Sequence, residues 1–210
     1  MGVAERKERE KQQRREEIIN AAEEVFFSKG FDNSTMDDIA EKAELSKGTL
    51  YIYFKSKEDL HMAVAHKAVA MLSAEAAGIE FGEGNALEKL VLLGRSTIEF
   101  SRKFPDQMKS IIFLEGFEMQ QLSFSPSEFQ NVIYSESPVG MVVRIVEQGV
   151  KEQLIRSDIP PLVIAHTLWM QMISVMRFVT NRSIMFQMLE LSPSSIYESH
   201  FEVVINGIRL

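Results

Sequence analysis

Between Thr35 and Lys57 the chain reads Thr-Met-Asp-Asp-Ile-Ala-Glu-Lys-Ala-Glu-Leu-Ser-Lys-Gly-Thr-Leu-Tyr-Ile-Tyr-Phe-Lys-Ser-Lys. The chemistry these side chains offer is non-covalent. Thr49, Tyr51 and Tyr53 carry hydroxyls that can donate to phosphate oxygens, Lys47 and Lys57 supply point charges, and Gly48 lets an anion approach first-turn backbone amides closely. Ser46 and Ser56 stand where each would cap a helix, and the free amides at such a start also attract anions. Between the tyrosines, Ile52 is apolar and suited to a thymine methyl.

Positioning such groups requires two short helices. Thr35 with Asp38 three residues later predicts one cap, and Ser46 predicts the next, across a turn of about three residues. Ile39, Ala43, Leu45, Leu50 and Phe54 fall on the faces that must be buried. A helix-turn-helix has this form, its second helix entering the major groove and its first crossing the backbone. The competing reading is a pair of tyrosines half-buried in a core.

The surrounding pattern is helical throughout. Ile18, Ala22, Val25 and Phe26 predict an amphipathic helix over 12–29 that ends at Gly30 with a left-handed cap. Ser56 and Asp59 predict a long fourth helix running toward Ala77. After a break at Gly78, Gly82 and Gly84, further helices are expected over 85–103, 105–122, 127–152, 159–183 and 193–208. Pro138 should kink or split the third of these. The fold class is all-α, with a DNA-binding domain over 12–60, a linking helix over about 57–78, and a second domain over 79–210.

Composition sets the outer limits. The 210 residues are 45% hydrophobic and contain no cysteine, which removes disulfides, thiolate metal sites and cysteine nucleophiles together. A net charge of −7 argues against nucleic acid on average. The positive charge is nevertheless concentrated: Met1–Arg15 holds six basic residues against three acidic, and Leu45–Lys57 three against none. The charged N-terminus lacks the apolar core of a secretory signal, and His166, Gln171 and Arg177 interrupt the richest apolar stretch, so no membrane span is expected and the location is read as cytoplasmic.

Catalytic apparatus is not visible. Glu58-x-x-His61 suits one half of a di-iron carboxylate site but has no second copy, and His61 and His66 are five apart rather than the four of a helical zinc pair. A nucleophile elbow and a phosphate-binding loop are both missing. The sequence calls for no cofactor. A helical-bundle enzyme and a helical ligand-binding protein with an unused DNA head are the readings that compete with a regulator.

The segment Thr-x-x-x-Ile-Ala-x-x-Ala followed by Ser-Lys-Gly-Thr-Leu-Tyr-x-Tyr-Phe-x-x-Lys-x-x-Leu resembles the signature of the TetR (tetracycline-repressor) family of bacterial transcription regulators, over about residues 14–60. The resemblance implies DNA contacts from Thr35, Lys47, Thr49, Tyr51, Tyr53 and Lys57, with Gly48 permitting close approach, and Ser46 and Ile52 join them as candidates by residue type. It also implies a homodimer formed through the last two helices, a palindromic double-stranded operator, and repression relieved by a small effector. Family members commonly place glycine where this chain has Glu44, so that turn should carry some strain.

Beyond residue 80 the likeness is of length and helical organisation. Adaptable apolar side chains there favour an apolar or amphipathic effector, with Phe113, Phe117, Met141, Trp169 and Met172 as candidate pocket walls and His166 and Arg177 as candidate polar contacts. The alternative is that these residues fill a core or an interface.

Overall fold

The computed structural model describes residues 2–114, 137–181, 186 and 188–210. Among them lie nine helices: α1 (Val3–Lys29), α2 (Met36–Lys42), α3 (Lys47–Tyr53), α4 (Lys57–Glu80), α5 (Ala86–Lys103), α6 (Pro105–Leu114), α7 (Pro138–Lys151), α8 (Pro161–Asn181) and α9 (Pro193–Ile208). The fold is all-α. The chain divides into two compact units, one of Met1–Ala68 with Lys109–Leu122, the other of Val69–Met108 with Ser123–Leu210. The boundary thus falls inside α4, and residues 109–114 of α6 belong with the N-terminal unit, an attachment no local pattern announces.

In the first unit the caps do what their residue types dictate. Thr35 Oγ1 accepts from Asp38 N at 3.1 Å while Asp38 Oδ2 accepts from Thr35 N at 2.9 Å, a reciprocal box that starts α2. Ser46 Oγ accepts from Thr49 N at 3.1 Å and starts α3; Ser56 Oγ accepts from Asp59 N at 3.0 Å and starts α4. Ile18, Phe26, Ile39, Leu50, Phe54 and Leu60 close around one another as the unit's core.

Two expectations need correcting here. Helix α1 begins at Val3, not near residue 12. Its first turns have no apolar stripe to betray them and carry an i,i+4 pair instead, Arg6 to Glu10 at 2.8 Å. Gly30 does cap α1 at positive φ, but its pair of φ 79° and ψ 157° lies in the extended region open almost only to glycine, not in the left-handed helical well.

The turn between α2 and α3 is a Schellman motif: Leu45 N donates to Ala40 O at 2.9 Å and Glu44 N to Glu41 O at 3.0 Å. Glu44 takes the left-handed position at φ 56°, where a side chain presses on its own carbonyl. Relieving that strain outweighs the extra freedom glycine brings to the unfolded chain, so Glu44→Gly should raise stability by about 0.5 to 1 kcal/mol, read as a higher urea midpoint at unchanged slope. Gln153 and Glu190 hold comparable positions at φ 58° and 53°.

The second unit is built on α7, which packs against α5 and α8, while α9 packs against α8 and α5. Leu90, Leu93, Ile145, Val146, Ile164 and Ala165 form its centre. Ser137 caps α7 through Gly140 N at 3.1 Å, with Pro138 in the first turn, so this proline opens a helix, while residues 127–136 of the helix expected over 127–152 lie outside the described residues. Close approach depends on two glycines. A Cβ on Gly149 would lie 2.4 Å from Ile155 Cδ1, and one on Gly94 would lie 2.4 Å from Phe201 Cε1. The C-terminal end of α4 is fixed within this unit: Arg144 grips both carboxylate oxygens of Glu80 at 2.5 and 2.8 Å, and buried Lys89 donates to Glu80 O at 3.0 Å. Lys89 also answers the partial negative charge at that helix end.

By length and mean hydropathy, Pro161–Thr180 of α8 is apolar enough to cross a membrane despite its polar interruptions, which corrects the expectation that they rule this out. In the fold α8 packs against α7 and α9, a third of that window is buried, and the apolar residues Leu162, Val163, Met170 and Phe178 remain exposed.

Candidate nucleic-acid interface and effector cavity

Helix α3 turns Leu50 into the core, where it is fully buried, and leaves the opposite side in solvent. Ser46, Lys47, Gly48, Tyr51 and Ile52 are exposed, and Thr49 is half-buried. Ile52 is 72% exposed. At Gly48 the chain itself has no need of glycine, since a Cβ there would meet only Ser46 Oγ at 3.9 Å. The space it leaves faces outward.

Several predicted contacts are already engaged within the chain. Ser46 and Thr49 hydroxyls lie 2.8 Å apart, and the Thr35 hydroxyl donates to Asp38 Oδ2 at 2.7 Å while also capping α2. Lys47 Nζ pairs with Asp37, 2.7 Å from Oδ1 and 2.9 Å from Oδ2, and that carboxylate raises the ammonium's pKa above its ordinary value. Asp38 in turn is lowered to about 2, first by the hydrogen bond from Lys29 and then by those from Thr35.

Lys57 departs most from expectation. Its ammonium donates to Phe31 O at 2.8 Å and Ser34 O at 3.0 Å and sits 4.2 Å from the Phe31 ring centroid. The charge ties the α1–α2 connection to the start of α4 instead of standing clear for a phosphate. Tyr53 is half-buried against the unit's core, closer to the competing reading than Tyr51 is. Sequence reasoning passed over Asp37 and Arg15. Arg15 stacks 4.2 Å from the Phe54 ring centroid and donates to Tyr53 O at 3.4 Å, holding the end of α3 against α1. The signal for Asp37 was available: it stands ten residues before Lys47, across a turn that brings the two helices together.

His61 is not set for metal chemistry. It is buried among rings, with centroids of Phe113, Phe31 and Phe26 at 4.3, 4.9 and 5.2 Å, and its pKa is lowered to about 4, chiefly by burial and secondarily by the charge of Lys57. Phe113 therefore belongs to the first unit, not to the second domain in which the pocket is expected.

Within the second unit a cavity of about 50 Å³ is lined by Leu90, Thr97, Trp169, Met172, His200 and Phe201, among others. Trp169 and Met172 are the two predicted wall residues it brings together. Met141 is buried in the unit's core instead, and Phe117 lies outside the described residues. His166 is half-buried with Nδ1 2.9 Å from Leu162 O, and Arg177 is exposed; neither lines the cavity. His200 and Thr97, polar groups on its wall, were not foreseen.

Residues 18–64 match the family described as bacterial regulatory proteins, tetR family. The HTH-type transcriptional activator FasR of Mycolicibacterium smegmatis is 42% identical over 57 residues, covering 27% of this chain and 26% of that protein, so the match spans about a quarter of that relative's length. A putative fatty acid metabolism regulator of Clostridium perfringens is 26% identical, with a TM-score of 0.61 over 92% of this chain and 99% of that one. The repressor FadR of Thermus thermophilus, solved with lauroyl-CoA, is similar in fold at 19% identity, with a TM-score of 0.67 over 92% of this chain and 94% of that one.

Proposed function

We propose that this chain, which belongs to the tetR family of bacterial regulatory proteins, is a cytoplasmic homodimeric repressor that grips a palindromic operator with paired α3 helices and is released by an apolar or amphipathic effector. DNA-binding regulation of transcription follows from the family. The observation that carries the finer reading is the outer face of α3, where Lys47, Gly48, Tyr51 and Ile52 are all exposed while Leu50 anchors the helix from behind. A face of small, hydroxylic and apolar groups is poorly designed for water alone and well matched to a groove lined by phosphates and thymine methyls.

Dimerisation is supported by apolar residues that the single chain leaves uncovered. Val163, Met170 and Phe178 recur at spacings of seven and eight along α8, and Val203 on α9 is 70% exposed. Such a stripe calls for a partner, and a second copy supplies one with two-fold symmetry. Two recognition helices must then stand about 34–36 Å apart to reach successive major grooves.

For the effector, the support is a cavity walled by Trp169, Met172, Leu90 and Phe201, together with relatives named for fatty acid metabolism and lauroyl-CoA. We read the class as an acyl chain. At about 50 Å³ the cavity is far below the roughly 300 Å³ of a typical ligand site, so binding must part its walls. Helix α4 contributes residues to both compact units and is the natural carrier of that change to the DNA head. An effector that prefers the DNA-incompetent state by about 1 to 3 kcal/mol weakens the operator complex roughly 5- to 150-fold.

Selection of bound duplexes from a random library tests the core of this reading. It should enrich a palindrome with half-sites about 10 base pairs apart or a multiple of that, and binding should weaken steeply with salt. Enrichment of no palindrome, or binding insensitive to salt, refutes it.

A further inference from the structure

We infer that the Asp37–Lys47 ion pair is a specificity device, withholding the charge of Lys47 from DNA of arbitrary sequence and releasing it to a phosphate only when α3 is seated on the operator. The inference rests on the DNA-binding reading above. Lys47 is the first residue of α3 and its one basic side chain. Asp37 reaches it from α2 with both carboxylate oxygens, at 2.7 and 2.9 Å, so the two helices of the motif are joined by a pair that is 55% and 65% exposed. Neighbouring lysines are matched in a similar way: Lys29 with Asp38 and Lys42 with Glu24, both at 2.5 Å. Part of the basic charge flanking the recognition helix is thus neutralised before DNA arrives.

That balance bears differently on the two kinds of complex. Binding to random DNA draws almost entirely on counterions released as cations neutralise phosphates. A lysine already neutralised by a carboxylate contributes little to this, and Asp37 itself repels the backbone. An exposed pair of this kind is weakly held, so a phosphate brought within reach can take the ammonium from it. Only a helix positioned by base-edge and hydroxyl contacts, here from Thr49, Tyr51 and Ile52, holds a phosphate in that place long enough for the exchange. The carboxylate then lowers affinity for non-cognate DNA more than for the operator, which raises the specificity ratio.

The test compares wild-type protein, Asp37→Asn and Lys47→Gln on the selected operator and on a random duplex of equal length, each across a range of salt. For Asp37→Asn the random-duplex salt slope should steepen by about one per protomer in contact, tightening that binding roughly 8-fold per protomer at 0.1 M salt, with the operator slope unchanged. For Lys47→Gln the operator slope should flatten by about one per protomer, and the random slope by clearly less, since there only the repulsion of the unpaired Asp37 is felt. Equal shifts on both duplexes, or no shift on either, overturn the proposal, as does a random slope that flattens as much as the operator slope for Lys47→Gln. If Asp37→Asn melts early because α2 loses an acidic residue from its first turn, the Lys47→Gln arm decides alone. Wild-type protein that binds no duplex sinks the DNA-binding reading itself, an outcome distinct from any change of slope among the variants.

Discussion

As pH falls from 6.5 to 4, the N-terminal unit is expected to lose on the order of 3 kcal/mol of stability through His61 alone. The sign follows from where the proton prefers to sit. In the unfolded chain the imidazole takes it up near pH 6.5; in the folded unit, ringed by Phe26, Phe31 and Phe113 and facing the Lys57 ammonium, it does so only near pH 4. Between those values the unfolded state binds more protons, so stability is fully present above the window and drains away through it. His66, lowered by its own burial, acts in the same direction, whereas Asp38 titrates lower, near 2, and contributes only to a later acid loss. Amide exchange of Val25, Ile39 and Leu50, all in that unit's core, reads the effect directly. In His61→Leu most of the dependence between pH 6.5 and 4 should vanish; a variant that keeps the wild-type slope would show that another group is responsible.

His61 also illustrates how far the sequence could be read. Its spacing to Glu58 and His66 could be read for metal ligation, but nothing local revealed that Phe113, more than fifty residues on, completes its surroundings. Helix existence and capping were legible because they are decided within four residues: Thr35 with Asp38, Ser46 with Thr49 and Ser56 with Asp59 fall as their types require. The strained turn was legible only through the resemblance, which places glycine where this chain has Glu44, and Glu44 does occupy the left-handed position of a Schellman motif. The charged beginning of α1 escaped because its exposed residues, Arg6 and Glu10 among them, leave no apolar period to detect.

Side-chain allegiance was the harder matter. Lys57 and Tyr53 lie on the motif where the resemblance leads one to expect DNA contacts, and their residue types suit phosphate; yet the first is drawn to two carbonyls and an aromatic face, and the second leans on the core. A cation or a phenol beside an exposed groove can be satisfied from within the chain, and only the tertiary arrangement decides which. The cavity of the second unit was least legible of all. Methionine and tryptophan fill cores and line pockets alike, so Trp169 and Met172 were found while His200 and Thr97, brought in from α9 and α5, were not.

Tyr51→Phe separates recognition from folding most sharply, and it should weaken operator binding by about 3 to 6 kcal/mol per dimer, roughly 10²- to 10⁴-fold. Tyr51 is 38% exposed on the outer side of α3, and removing only its hydroxyl leaves the ring and its packing in place. A hydrogen bond to a charged phosphate contributes about 1.5 to 3 kcal/mol, and a palindrome uses it twice, once in each half-site. The loss on an isolated half-site should therefore be close to the square root of the loss on the full operator. Thermal unfolding should hardly move, because an exposed hydroxyl supports little of the fold. A Tyr51→Phe protein that binds the operator like wild type would mean the phenol points away from phosphate; one that unfolds early would mean it serves the core; and equal losses on half and full sites would argue against two copies reading one duplex together.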